Sequence, residues 1–345
     1  MPLPLLVVFG TRPEYLKLKI LVQRLEETSV PFLFLQVFQH ESLEVEEATK
    51  PYYASVRLPL LENTTRLTQL VSEVSKSVEP FVKQASKVIV QGDTATAFLT
   101  ALCAFHNQVP VAHVEAGLRT YDLQNPFPEE AYRSMLARIA TYHFCPDPSA
   151  KQNLIAEGIQ SGVSVVGNPI LDLVRSYKIP SRLGTCVPIT IHRRENWELL
   201  HEWAREVISL CNRNPSLQFR WITHPNPALQ PLIEKTLAEV GPPSNLTFQP
   251  PCSHKDLCQL LHEAFCVITD SGGIQEEASF LGKYSFVLRK TTERSAIPEE
   301  YLEKVLSPRT LVSQFEAKAS TLRLLPSCTV YGTGHAADAI VQQII

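Results

Sequence analysis

No apolar run in this chain of 345 residues approaches the ~18–20 residues that a membrane span needs. The N-terminal MPLPLLVVFG is apolar but short, carries no basic region ahead of it, and runs into Gly10-Thr11-Arg12-Pro13. It predicts a buried first strand rather than a secretory leader. Charge of one sign is not in excess: 32 Lys+Arg stand against 35 Asp+Glu, a formal net charge of -3. Such a balance argues against nucleic acid or an anionic membrane surface as the main partner. Internal repeats, low-complexity tracts and long charge runs are missing, which sets aside solenoids and extended tails. A usual zinc spacing is missing too. Cys252 and Cys258 are six apart, and His254 and His262 beside them complete no common ligand pattern. The other cysteines, Cys103, Cys145, Cys186, Cys211, Cys266 and Cys328, are scattered. They read as reduced core thiols in a cytoplasmic protein, and no metal is expected. Finally, no G-x-G-x-x-G follows the first apolar run and no P-loop occurs, which disfavours NAD and ATP, so no cofactor is expected.

What is present is a globular composition, 44% hydrophobic and 19% charged, long enough for two domains. Short apolar runs alternate with helix-period stretches almost throughout. Leu3–Phe9, Phe32–Leu35, Val88–Val90, Val109–His113 and Val163–Val166 read as strands, with helices such as Ala95–Phe105 and Glu130–Ile139 between them. After Gly167-Asn168-Pro169 the alternation restarts with Val187–Ile191, Phe219–Ile222, Val267–Ile268 and Phe286–Leu288, and Pro180–Gly184 has linker composition. Continuous apolar strands alternating with helices predict α/β architecture: two Rossmann-like domains facing across a cleft, with parallel sheets covered on both faces. The expected domains are 1–168 and 169–330, with the amphipathic C-terminal segment 331–345 crossing back to the first.

Polar residues gather where strands end, which is where open α/β sheets bind ligands. Arg12 follows the first strand at a helix start, a position that suits an anion or an ordinary surface ion pair. Asp93, in Gln91-Gly92-Asp93-Thr94, is either a helix cap or a site carboxylate. Glu115 ends the next strand, and Glu129 opens a helix, where dipole compensation is an equally plain reason for it. Arg133 lies one turn on. Three carboxylates ending consecutive units on one side of a sheet suggest general-base chemistry, through mutual repulsion and desolvation. In the second half His192, beside Arg193 and Arg194, and His224, in His224-Pro225-Asn226-Pro227, each follow a strand and together suggest an anion-binding wall. Thr269-Asp270-Ser271-Gly272-Gly273-Ile274-Gln275-Glu276-Glu277 is the sharpest signal. A serine hydroxyl and glycine amides at a helix start form a cradle for a diphosphate. Glu277 is placed to accept from sugar hydroxyls, and Arg289, Glu293 and Arg294 follow the next strand.

Together GTRPE with Lys17, QGDT, HVEAGLRT, PEE with Arg133, GNP, HRREN, HPNP, DSGGIQEE, TER and the final YGTGH resemble the non-hydrolysing UDP-N-acetylglucosamine 2-epimerases. The resemblance spans nearly the whole chain and implies the two-domain architecture of many glycosyltransferases (GT-B type). It implies a UDP-sugar substrate whose C2 centre is inverted by elimination of UDP to a 2-acetamidoglycal and re-addition, and a homodimer. It assigns Asp93, Glu115, Glu129 and His192 to catalysis. It assigns Arg12, Lys17, Arg133, His224, Ser271, Gly272, Gly273, Glu277 and Arg294 to UDP or substrate binding, with Glu277 on the ribose. Departures occur. Tyr132 stands where the family usually has Asn, Ser295 where it has Pro, and Ser42 where a second glutamine of an allosteric site, following Gln39-His40, would stand. Tyr132 beside Glu129 raises the expectation of a modified substrate, such as a 6-deoxy or diacetamido relative of UDP-GlcNAc. A glycosyltransferase of the same architecture, a hydrolysing epimerase and an idle nucleotide-sugar sensor are the rival readings. Intact Asp93, Glu115 and Glu129 weigh against the last.

Overall fold

The computed structural model describes residues 3–38, 52–58, 66–224, 226, 229–290 and 294–345. The expected allosteric positions Gln39, His40 and Ser42, and also Pro225, Pro227, Thr292 and Glu293, lie outside them. Two compact units are present, Met1–Leu173 with Tyr331–Ile345, and Val174–Val330.

The first unit is built on strands β1 (Leu5–Phe9), β2 (Phe32–Phe38), β3 (Tyr53–Arg57), β4 (Lys87–Gln91), β5 (Val111–Val114), β6 (Tyr142–Cys145) and β7 (Val163–Val165). They pair in the order β3-β2-β1-β4-β5-β6-β7, and every pairing is parallel. Side chains alternate across a strand. Accordingly Leu5, Val7 and Phe9 join one core with helix α1 (Arg12–Glu26). Leu6 and Val8 join another with α2 (Arg66–Val82) and α3 (Ala95–His106). Fully burying each such side chain stabilises the unit by about 1.5–3 kcal/mol before entropy is counted. Helices α4 (Glu129–Ile139), α5 (Pro148–Ala156) and α6 (Pro169–Ser176) complete the alternation. β3 and β6 escape the sequence reading. The first is a half-exposed edge strand, and the second carries a buried histidine that interrupts its apolar pattern.

The second unit repeats the plan with β8 (Cys186–Thr190), β9 (Gln218–Ile222), β10 (Leu246–Gln249), β11 (Val267–Thr269), β12 (Ser285–Val287) and β13 (Leu302–Lys304), in the order β10-β9-β8-β11-β12-β13. Its helices are α7 (Leu200–Arg213), α8 (Gln230–Val240), α9 (His254–His262), α10 (Gly272–Phe280) and α11 (Leu311–Ala319). The division expected at 168/169 falls instead at 173/174, inside α6. Nor is Pro180–Gly184 a free tether. Arg182 N donates to His262 O at 2.9 Å, Ser181 Oγ to Leu281 O at 2.8 Å, and a Cβ on Gly184 would sit 2.1 Å from Glu263 O.

The last helix, α12 (Ala336–Ile344), belongs to the first unit. Its Ala337, Ile340, Val341 and Ile344 share the core of α1. The Asp172 carboxylate accepts from Ala336 N at 2.9 Å and Ala337 N at 2.8 Å, so it caps the helix start. Gly167 and Gly332 cross closely beside it. Both are left-handed, at φ 92° and 101°, and a Cβ on Gly167 would meet Tyr331 O at 2.8 Å.

Candidate active site

In the first unit the turns after β1, β4 and β5 are cross-braced. Glu14 Oε2 accepts from Gly10 N (3.0 Å), Thr11 N (2.7 Å) and Thr11 Oγ1 (2.7 Å), closing the turn that presents Arg12. Glu14 Oε1 accepts from Thr94 Oγ1 at 2.6 Å and ties this turn to the one after β4. Burial pushes the Glu14 carboxyl above its ordinary range, against the hydrogen bonds from Thr94, Thr11 and Gly10. The sequence carried a signal for this brace, because Thr-x-x-Glu at a helix start is the capping-box pattern.

After β4, Gly92 takes φ 74° and Thr94, not Asp93, caps α3, its hydroxyl accepting from Ala97 N at 3.1 Å. Asp93 is thereby released from the capping role and bonds Arg133, whose Nε and Nη2 lie 2.8 and 2.6 Å from Oδ2. Arg133 Nη1 also donates to Glu130 Oε2 at 3.0 Å. The other Glu130 oxygen accepts from Thr120 N and Tyr121 N, both at 2.9 Å. Glu130, only 1% exposed, was not singled out from sequence, since all these partners except Arg133 lie nine or more residues away. Glu129, the expected site residue, opens α4 and is half-buried. His113 holds the Gly92 carbonyl through Nε2 at 2.7 Å, and burial pulls its pKa down to about 3.

Glu115 directly follows β5 in a left-handed conformation, φ 67°, which is rare for a residue with a side chain. Its Oε2 accepts from Lys17 Nζ and Gln91 Nε2. Its Oε1 accepts from Asn168 Nδ2 at 3.3 Å, while Asn168 Oδ1 receives Ile170 N at the start of α6. Gln91 and Asn168 are site residues that motif reading passed over. Asp93 and Glu115 each pair with a cation. Two residues on, Gly117 takes φ 87°, and a Cβ there would sit 2.2 Å from Ala150 O. Arg119 of the same motif is structural, its guanidinium forming a fork on Glu157 at 2.7 and 2.9 Å. Tyr132 stacks on Phe98, with centroids 5.1 Å apart and planes at 15°. Its ring therefore contributes to the packing of α4 on α3.

In the second unit Asp270, fully buried, is a brace. Its carboxylate accepts from His192 N (3.0 Å to each oxygen), Arg193 N (2.9 Å) and Asn196 Nδ2 (2.9 Å), fixing the turn after β8. His192 Nε2 donates to Ile222 O at 2.9 Å, and the ring stands edge-on to His224, 5.2 Å between centroids. The two histidines are thus brought together as expected. His224 Nδ1 accepts from Asn226 N at 2.9 Å. Burial, reinforced by His192, lowers the His224 pKa, while Asp270 opposes the shift.

Ser271 caps α10, its Oγ accepting from Ile274 N at 3.5 Å. Gly272 and Gly273 follow as the first helical residues, whose amides have no intrahelical acceptor. Neither glycine has positive φ, and a Cβ on Gly273 would meet nothing nearer than Ser271 Oγ at 3.9 Å and Glu277 Oε1 at 4.0 Å. The fold has no need of glycine at 273. The expected anion-binding arginines are engaged within the unit. Arg294 forms a buried ion pair with Glu276, and Arg289 Nε lies 3.3 Å from Glu195 Oε1. Glu277, 5% exposed, faces His254 and Cys258 of α9 through Oε2. His254, Cys258 and Glu277 form a group that no sequence spacing displays, because the third member comes from a different helix.

A family model described as UDP-N-acetylglucosamine 2-epimerase matches residues 38–345. The UDP-N-acetylglucosamine 2-epimerase of Campylobacter jejuni is 31% identical over 99% of this chain and 97% of its own length. The crystal structure of UDP-GlcNAc 2-epimerase from Neisseria meningitidis bound to UDP-GlcNAc superposes with a TM-score of 0.83 at 29% identity, covering 99% of both chains. The S. aureus MnaA–UDP co-structure gives a TM-score of 0.85 at 29% identity, over 99% of this chain and 95% of that one. The chain, with its two Rossmann-like units, belongs to the non-hydrolysing UDP-N-acetylglucosamine 2-epimerase family and is an isomerase.

Proposed function

We propose that the protein inverts C2 of UDP-GlcNAc, giving UDP-ManNAc, by removing and restoring UDP at C1. A carboxylate takes the C2 proton while the C1–oxygen bond to UDP breaks, leaving a 2-acetamidoglycal. UDP then adds back to C1 as a proton is delivered to the opposite face of C2. The C2 proton is only weakly acidic, so abstraction must be coupled to stabilisation of the departing diphosphate. The observation that carries this reading is Glu115, a 7% exposed carboxylate on left-handed backbone gripped by Lys17, Gln91 and Asn168. Asp93, oriented by Arg133, and Glu129 are the other proton-transfer groups. His192, beside His224, stabilises the leaving diphosphate, with Arg12 and Arg294 adding positive charge. Ser271 and the amides of Gly272 and Gly273 receive UDP phosphate oxygens, and Glu277 accepts from the ribose. A homodimer in the cytoplasm is part of the same reading, supported by the family resemblance and by the scattered spacing of the eight cysteines.

Proton NMR of UDP-GlcNAc with the enzyme in deuterated water tests this. Deuterium entering C2 together with UDP-ManNAc signals is the expected result. Accumulation of free UDP and N-acetylmannosamine would identify a hydrolysing enzyme. Absence of exchange without an acceptor would point to a transferase.

A further inference from the structure

The side chains of His254, Cys258 and Glu277 converge, with one possible ligand atom from each lying within 4.8 Å of the others, and all three residues are buried. His254 opens α9 and Cys258 follows four residues later, a spacing that puts both on one helix face. Glu277 reaches them from α10. His254 Nε2 lies 3.2 Å from Glu277 Oε2. Cys258 Sγ lies 3.7 Å from His254 Nε2 and 3.7 Å from Glu277 Oε2.

One imidazole, one thiol and one carboxylate are a donor set that zinc takes. With metal–sulfur distances of about 2.3 Å and metal–nitrogen or metal–oxygen distances of about 2.0–2.1 Å, tetrahedral angles set the ligand-to-ligand edges at roughly 3.3–3.6 Å. Nε2 and Oε2, 3.2 Å apart, stand near such an edge, whereas Cys258 Sγ, 3.7 Å from Nε2 and 3.8 Å from Nδ1, has to rotate toward the Nε2 side to share the ion. The second shell is in place as well. Tyr177 Oη lies 3.0 Å from His254 Nδ1, which fixes the ring so that Nε2 points into the cluster, the orienting role seen around metal-bound imidazoles. One thiolate and one imidazole select a borderline-soft ion over magnesium or calcium, which favour all-oxygen sets.

We propose that His254 Nε2, Cys258 Sγ and Glu277 Oε2 form a zinc site, with water as the fourth ligand. Binding displaces the thiol proton of Cys258 and leaves the other Glu277 oxygen, Oε1, facing the start of α10. The ion holds Glu277 in one orientation and ties α9 to α10. The cluster shares Glu277 with the proposed ribose contact, and ion uptake is read in the absence of nucleotide, so it is tested separately from the epimerase reading.

The test uses the full chain, stripped with chelator and titrated with Zn²⁺ or Co²⁺ alone. One equivalent of either ion per chain is expected. Co²⁺ should bring sulfur-to-metal charge-transfer absorption in the near ultraviolet and the visible bands of a tetrahedral ion. Cys258→Ser and Cys258→Val, the second chosen to preserve apolar packing, should both lose the charge-transfer band. Tyr177→Phe keeps all three ligands and should weaken zinc binding by about ten- to a hundredfold. The proposal is overturned if the stripped protein takes up no stoichiometric ion, if the Co²⁺ bands are octahedral, or if the thiolate band survives in folded Cys258→Val. Circular dichroism of each variant establishes that it is folded.

Discussion

Gly273→Ala separates the demands of the fold from those of the ligand, because the two have opposite sign. The added methyl would lie 3.9 Å from Ser271 Oγ and 4.0 Å from Glu277 Oε1, both ordinary van der Waals distances, and the backbone is not left-handed. With no strain to oppose it, the substitution removes unfolded-chain entropy and should stabilise the second unit by about 0.4–1 kcal/mol. For a unit of this size that raises the thermal midpoint by roughly 1–4 °C. The same methyl occupies the space through which a phosphate oxygen must approach the first-turn amides of α10. UDP affinity should therefore fall tenfold or more, about 1.4 kcal/mol or above. Differential scanning calorimetry and UDP titration calorimetry on the same preparation read both quantities. A destabilised variant with unchanged UDP affinity would refute the reasoning, since glycine would then serve the helix and not the ligand. Gly117→Ala is the contrasting control. Its φ of 87° and the Ala150 carbonyl 2.2 Å from the new Cβ make that glycine a requirement of the fold.

Two further outcomes follow from the first unit. Asp93→Asn, Glu115→Gln and Glu129→Gln should each lower C2 exchange by about a hundred- to ten-thousandfold, the range for loss of a general acid or base, with UDP affinity within a few-fold of wild type. Any one that keeps near-normal exchange in the NMR assay is not a proton-transfer group. The buried histidines make the unit acid-sensitive: burial takes His113 from 6.5 to about 3 and His143 from 6.5 to about 4. Both shifts are downward, so the unfolded chain takes up protons first as pH falls. The stability they contribute is full above pH 6.5 and is lost toward the folded values, at about 1.4 kcal/mol per pH unit for each ring. His113→Asn should flatten the fall in urea midpoint between about pH 6.5 and pH 4 by one such increment. Parallel curves for the two proteins would show that His113 is not the group responsible.

Strand runs and strand-end motifs were legible in the sequence because their physics is local. Alternation of Leu5 to Phe9 between two faces needs only the two-residue repeat of a strand. The Thr11–Glu14 and Ser271–Ile274 contacts close within three residues. Most of the residues expected at the site do stand at the ends of these elements. The partners of each charged group were another matter. Lys17 meets Glu115 across 98 residues, Arg133 meets Asp93 across 40, and Glu277 meets His254 across 23. Such distances depend on which strands are neighbours, and local periodicity says nothing of that. Tertiary structure also decided which polar residues are buried. Asp270 and Glu130, exposed carboxylates by residue type, are buried because backbone amides and buried side chains from separate loops converge on them. A charge removed from water persists only where such donors have been assembled around it, and assembling them is the work of the whole fold.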